Sequence, residues 1–238
     1  MMADRSISTK IEVHPVRAED ADEIFKLHAR VFHQREPITQ FLGFSTDRLV
    51  QLLHALHRAG KGHSLDRKLW WMACDEDRAP IGFVICLDVS EAAEEPYALE
   101  LTSDEQARMP PVKAFMEELR TPLRDAYASP PGQCMYVAAV GVDPVYERTG
   151  IAASLLGSAI TQAREIGYVC AVSECTGPAS RRCHEKCGFR SVHSLEYKKF
   201  QFEGRHPFAE IPGECHLMWK RLVIQSYAGK HPAASESS

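Results

Sequence analysis

One stretch of the chain has residue types and spacing suited to holding an anion. The near-continuous apolar run of residues 135–142 is followed by Asp143-Pro144-Val145-Tyr146-Glu147-Arg148-Thr149-Gly150, then by Ile151, Leu155, Leu156, Ile160, Ala163 and Ile166 at helical spacing. A strand, a short loop and a helix in that order aim the unpaired N–H groups of a helix N-terminus into one concavity, where the helix dipole also favours negative charge. Gly150 lets the backbone approach an oxygen closely, and the small Ala152 keeps the next turn clear. Taken alone, a glycine before a helix is better explained by a tight turn with no ligand.

Other candidates stand outside this loop. Glu36 lies in Arg35-Glu36-Pro37-Ile38, and its local sequence reads as a solvated loop carboxylate paired with Arg35. Cys175, Cys183, His184 and Cys187 form a tight group, but there is no paired CxxC and no matching second half, so core thiols are the expectation and no metal is. Ser180 reads as a helix N-cap before Arg181 or as a functional hydroxyl, since both uses need the same oxygen. His54, His57 and His63 have no partner pattern and are expected at the surface, while Trp70 and Trp71 are expected to pack a hairpin.

The elements that must position these residues follow from periodicity. Residues 11–16 alternate as a half-buried strand, and 18–32 predict a helix with acids in its first turn and Ile24, Leu27 and Val31 on one stripe. A second helix over 46–59 is capped by Ser45 and stopped by Gly60. Residues 69–74 and 81–89 predict a hairpin, and 135–142 a strand covered on both faces. The irregular, acidic stretch 90–133 reads as a surface insertion carrying one helix near 112–120. A helix over 151–166 ends at Gly167; strand 168–175, helix 180–187 and strands 189–200 and 215–223 follow. The small, polar segment 228–238 cannot bury enough surface to order itself.

Composition bounds the rest. With 238 residues and 45% hydrophobic content the chain can bury one full core, so a single domain over 11–223 is expected, after a segment 1–10 and before a tail 224–238. A net charge of −4 and no basic stripe argue against nucleic acid as a partner. No apolar run reaches the length of a membrane span and the start lacks the apolar stretch of a signal peptide, so a cytoplasmic protein, monomer or homodimer, is expected. The eight cysteines are scattered through predicted strands and helices, as expected of reduced, buried thiols.

Val142-Asp143-Pro144 followed by Arg148-Thr149-Gly150-Ile151-Ala152 and Leu155-Leu156 resembles the coenzyme A pyrophosphate loop of GNAT acetyltransferases, usually Gln/Arg-x-x-Gly-x-Gly/Ala after a strand ending in Val-x-Pro. Glu147 departs from that pattern, and Arg148 beside it supplies a positive charge. Downstream, Glu185-Lys186-Cys187-Gly188-Phe189 resembles the Glu-Lys-x-Gly-Phe that ends the family's next helix, and Ile81-Gly82-Phe83 its third strand. The resemblance spans most of 11–222, omitting the 90–133 stretch. It implies an α/β (α+β) GNAT fold: a mixed, largely antiparallel twisted sheet of about seven strands flanked by about four helices, splayed between the fourth and fifth strands.

The resemblance also implies acetyl-coenzyme A as cosubstrate, held by Glu147, Arg148, Thr149, Gly150, Ile151, Ala152 and Ala153 at the diphosphate. Backbone groups of Ala139, Val140 and Val142 would hold the pantetheine arm, with the Val140 N–H as donor to the thioester carbonyl, where charge develops. The acceptor is implied to be a small primary amine, attacked directly in a ternary complex. A primary alkylamine with a pKa near about 10 is protonated at neutral pH and needs a base. Arg35-Glu36-Pro37-Ile38 resembles the Asp-Glu-Pro-Leu segment of insect arylalkylamine N-acetyltransferases, which makes Glu36 the candidate base, with Pro37 and Ile38 lining the acceptor site. Ser180 and, approximately, Thr176 fall on serines those enzymes use, and His184 falls where many members place a tyrosine that protonates the leaving thiolate. A protein lysine or N-terminal acetyltransferase, and a degenerate coenzyme A sensor or interaction module, are the alternatives.

Overall fold

The computed structural model describes residues 10–58, 63–92 and 101–222. Gly60, the tail 224–238 and nearly all of segment 1–10 lie outside the described residues. The first half comprises β1 (Glu12–Pro15), α1 (Ala21–Arg35), α2 (Pro37–Leu42), α3 (Thr46–Arg58), α4 (His63–Asp66), β2 (Trp71–Cys74), β3 (Pro80–Asp88) and α5 (Val89–Ala92). The second comprises α6 (Ser103–Arg120), α7 (Arg124–Tyr127), β4 (Cys134–Val142), α8 (Ile151–Glu165), β5 (Cys170–Cys175), α9 (Pro178–Lys186), β6 (Arg190–Glu196) and β7 (Glu214–Arg221).

The strands form one seven-stranded sheet in the order β1-β2-β3-β4-β5-β7-β6. The β4–β5 pair is parallel and every other pairing antiparallel, because the α8 crossover returns the chain in the same direction. That mixed, largely antiparallel α/β arrangement is the expected one. The glycines show which helix lies on which face: a Cβ on Gly82 would stand 2.8 Å from Ile151 of α8, whereas one on Gly141 would meet Phe83 at 2.6 Å and Val31 of α1 at 3.1 Å. The chain therefore presses α8 onto one face and α1 onto the other.

Local signals decide the early helices. Ser45 accepts the Arg48 N–H at 3.2 Å and starts α3, and the Asp75 carboxylate takes the Asp77 and Ala79 N–H groups at 3.1 and 2.9 Å to close the β2–β3 hairpin. His54 and His57 are not simple surface residues: His54 meets Asp22 at 3.0 Å, and both rings pack against Phe25, at 5.1 and 5.8 Å.

The largest departure is in the 90–133 stretch. Its helix is 18 residues long rather than a short turn of helix near 112–120, and it runs through Pro110 and Pro111. A Thr102/Glu105 capping box starts it, and Arg48 grips Glu105 through two bonds of 2.8 Å, holding that carboxyl down at about 2. Nor is the segment all surface: Val112, Phe115 and Leu119 are buried in a second core with Ile38, Leu42, Tyr197, Phe200, Phe208 and Leu217. Spacing of three and four residues gives α6 one apolar stripe, which covers the β7-β6 end of the sheet.

Candidate active site

A short loop leads from β4 into α8, with a glycine at the helix start. Asp143 ends β4, donating its N–H to Ile81 O at 2.8 Å, while its carboxylate accepts the Val145 N–H at 3.1 Å and sets a single 3-10 turn over Pro144–Tyr146. Arg148 (φ 65) and Gly150 (φ 87) are both left-handed, which curls the backbone amides inward ahead of α8. No side chain caps α8, and Thr149 turns its hydroxyl back to donate to Tyr146 O at 2.7 Å. A Cβ on Gly150 would meet nothing within 4 Å. Residues 147–150 are exposed and small Ala152 and Ala153 follow, and the first amides of α8, those of Ile151, Ala152 and Ala153, carry no side-chain cap.

Glu147 is the feature that fits least, and its surroundings explain how it is tolerated. Its carboxylate meets the Arg35 guanidinium at 3.1 Å, so the anion at the loop has a cation beside it. Arg35 is therefore not the partner of Glu36. A second ion pair, Arg30 to Asp143 at 2.7 Å, also joins α1 to this loop.

The fork in the sheet lies alongside. Parallel pairing of β4 with β5 covers Cys134↔Cys170, Met135↔Ala171 and Tyr136↔Val172, and ends there. From Val137 to Val142 β4 has no ladder partner on its β5 side, and Ala139, Val140 and Val142 lie in that stretch. On the other edge the β3–β4 register slips between Ile85 and Cys86, leaving Ala138 as a bulge.

Glu36 is a helix cap. Its carboxylate accepts the Ile38 N–H at 3.0 Å and also the Thr39 N–H, fixing the start of α2. The sequence reading of a free loop carboxylate missed this six-residue helix, though Glu before Pro-Ile-Thr is a start signal. Ile38 is buried in the second core and Pro37 half-buried. The negative charge of Glu36 is felt by the buried Tyr197 phenol and Cys215 thiol, both pushed above their ordinary values chiefly by burial.

The β5–α9 junction corrects two expectations. Gly177 is the N-cap of α9, so Ser180 is not a cap; its hydroxyl instead donates to Cys175 Sγ at 3.3 Å. His184 is 1% exposed, with Nδ1 2.9 Å from Ser180 O and 3.2 Å from Cys175 Sγ, and its ring edge-on to Phe189 at 5.0 Å. Burial lowers its pKa, so the imidazole is neutral and its Nδ1 proton is committed within the junction; it is not placed to give a proton to a leaving thiolate. Burial also pushes the Cys175 thiol up to about 12. Thr176 contributes its carbonyl, which accepts the Tyr197 hydroxyl at 2.8 Å. Among the described residues no three or more His, Cys, Asp or Glu side chains converge as a metal site.

Two features were not legible in the sequence: Tyr197, and the carboxylate of Glu174. The latter lies two residues past the last β4–β5 pair, where Arg120 Nε donates to it at 2.7 Å and Tyr127 donates its hydroxyl. Burial opposes its ionisation, but the Arg120 charge and the hydrogen bonds from Arg120, Tyr127 and Tyr136 outweigh that and hold the carboxyl below its ordinary value.

An uncapped, glycine-led helix start thus stands beside a fork between two parallel strands of a mixed sheet. The family model described as "Acetyltransferase (GNAT) family" matches residues 30–189, and the chain belongs to that family. The fold is similar to the C-terminal condensation domain of Ebony in complex with beta-alanyl-dopamine (TM-score 0.72, 18% identity, covering 90% of this chain and 99% of that one). It is similar to arylalkylamine N-acetyltransferase 2 from Aedes aegypti (TM-score 0.71, 17% identity, 90% and 100%). It is also similar to the Drosophila melanogaster polyamine N-acetyltransferase (TM-score 0.66, 16% identity, 90% and 100%). Among the described residues no helix is long and apolar enough to cross a membrane.

Proposed function

We propose that this acetyltransferase moves the acetyl group of acetyl-coenzyme A to a small primary amine with an apolar, arylalkyl-like body, by direct attack in a ternary complex. The observation that carries the reading is the α8 start: uncapped amides, left-handed Arg148 and Gly150, and open space where a Gly150 side chain would stand. When bound, the thioester supplies the activated acetyl group. The chain supplies an N-terminal dipole and amides for the diphosphate and free β4 edge groups for the pantetheine arm.

Glu36 is the proposed base. A carboxylate has about four lone-pair sites, and two are taken by the Ile38 and Thr39 amides. That grip fixes the carboxylate and leaves acceptor capacity for the ammonium proton, directly or through water. The thiol of Cys175, protonated and buried, favours direct transfer over a relay through that residue. The arylalkyl-like body of the acceptor is supported by the likeness of the fold to arylalkylamine N-acetyltransferase 2 from Aedes aegypti.

Free-thiol release from acetyl-coenzyme A against tryptamine, phenylethylamine, polyamines and lysine peptides tests the reading. Release with the arylalkylamines is expected. Release confined to lysine peptides would move the acceptor to protein, and tight coenzyme A binding without release for any amine would reduce the chain to a binding module.

A further inference from the structure

At the crotch of the β4–β5 fork the Glu174 side chain is 4% exposed, and its surroundings are those of a cation site. Tyr127 and Tyr136 turn their rings to the same point, and Arg120 Cζ stands 4.8 Å from one ring centre and 5.8 Å from the other. A buried carboxylate flanked by two aromatic faces is the donor set that recognises an organic cation. Here the cation belongs to the protein: Arg120, at the last position of α6. A buried ion pair is no better a fastener than apolar side chains of the same volume, so fastening α6 to β5 does not by itself account for it. The cage lies towards the candidate acceptor region: Glu174 is two residues from Thr176, whose carbonyl accepts the Tyr197 hydroxyl at 2.8 Å, and Tyr197 shares the second core with Ile38.

We propose that Arg120 is a specificity-determining residue: its guanidinium fills the cage of Glu174, Tyr127 and Tyr136 and denies it to the second cation of a diamine or guanidino-amine. The acceptor is thereby restricted to amines with one cationic end. This rests on the reading of the chain as a small-amine acetyltransferase. Arg120→Ala vacates the cage and leaves Glu174 uncompensated, so a ligand cation of matching chemistry becomes its natural partner.

The test compares kcat/KM for phenylethylamine and agmatine. Wild type is expected to favour phenylethylamine, and Arg120→Ala to shift the ratio towards agmatine by about tenfold or more, mainly through KM. Arg120→Ala/Glu174→Gln, with neither charge, should return to the wild-type preference. Thermal melting with millimolar agmatine or guanidinium gives a second readout: stabilisation of Arg120→Ala, and not of wild type or the double variant. If wild type acetylates no amine, the functional reading fails while the melting experiment still decides the cage. Should Arg120→Ala be insoluble, recovery by agmatine during refolding, absent for the double variant, supports the proposal. An unchanged ratio, or an equal response of both variants to agmatine, overturns it.

Discussion

Glu36 is at once the cap of α2 and the proposed base, and substitution separates these roles. Glu36→Gln keeps one acceptor oxygen for the α2 amides, so the fold should survive, with a stability loss of at most about 1 kcal/mol. Its rate should fall more at low pH than at high pH, because the amine deprotonates itself as pH approaches its own pKa. A pH–rate profile parallel to that of wild type would remove Glu36 from the role. His28 makes a prediction of the opposite kind, about stability. Its ring stacks on Phe32 at 4.0 Å, and burial drives its pKa down to about 3. Between about 6.5 and 3 the unfolded chain binds a proton that the folded one refuses, so this contribution is whole above about pH 6.5 and is lost as pH falls. His28→Leu should flatten the fall in urea-unfolding free energy below pH 6.5, by about 1.4 kcal/mol per unit at the steepest. Equal slopes would contradict it. Residues whose role rests on backbone, such as Gly150, were legible in the sequence. Glu174 and Tyr197 were not, because their partners arrive from other segments of the chain, such as Arg120 and Thr176.

Among the elements, the loop into α8 is the sharpest test. Gly150 at φ 87 is a position where an L side chain is strained by about 1–2 kcal/mol, yet its Cβ would touch no neighbour. Gly150→Ala should therefore lower the melting temperature modestly and raise KM for acetyl-coenzyme A far more than it lowers kcat, because the methyl projects where the diphosphate is proposed to sit. An unchanged KM would place the ligand elsewhere. The same logic explains what periodicity missed. Pro110 and Pro111 remove two N–H groups from the middle of α6, so a sequence reading starts the helix after them. The helix persists because the carbonyls they orphan belong to exposed Gln106 and Ala107 and can meet water, and because Arg48 on Glu105 and Arg108 on Leu42 O, at 2.9 Å, anchor the first half.

At the scale of the whole molecule, one sheet carries apolar layers on both faces. The core formed where α1 packs on one face and α8 on the other was legible, since each contributing segment shows a strong period of its own. The second, under α6, was not, because it is assembled from a few aromatic residues of three separate segments: Phe115, Tyr197 with Phe200, and Phe208. Phe115→Ala should cost about 3–5 kcal/mol, and near-ultraviolet dichroism and far-ultraviolet dichroism should melt together if the two layers unfold as one unit. A separate early transition would instead make the α6 side an independent unit. The two arginines that tie α1 to the anion loop carry one more implication. Arg35, half-exposed and bound to Glu147, is joined by a single peptide bond to Glu36, which pins α2. A diphosphate at the proposed site that displaced Glu147 would thus act one residue along the backbone on the proposed base, and linkage would make the influence reciprocal: each substrate would sense whether the other is already aboard.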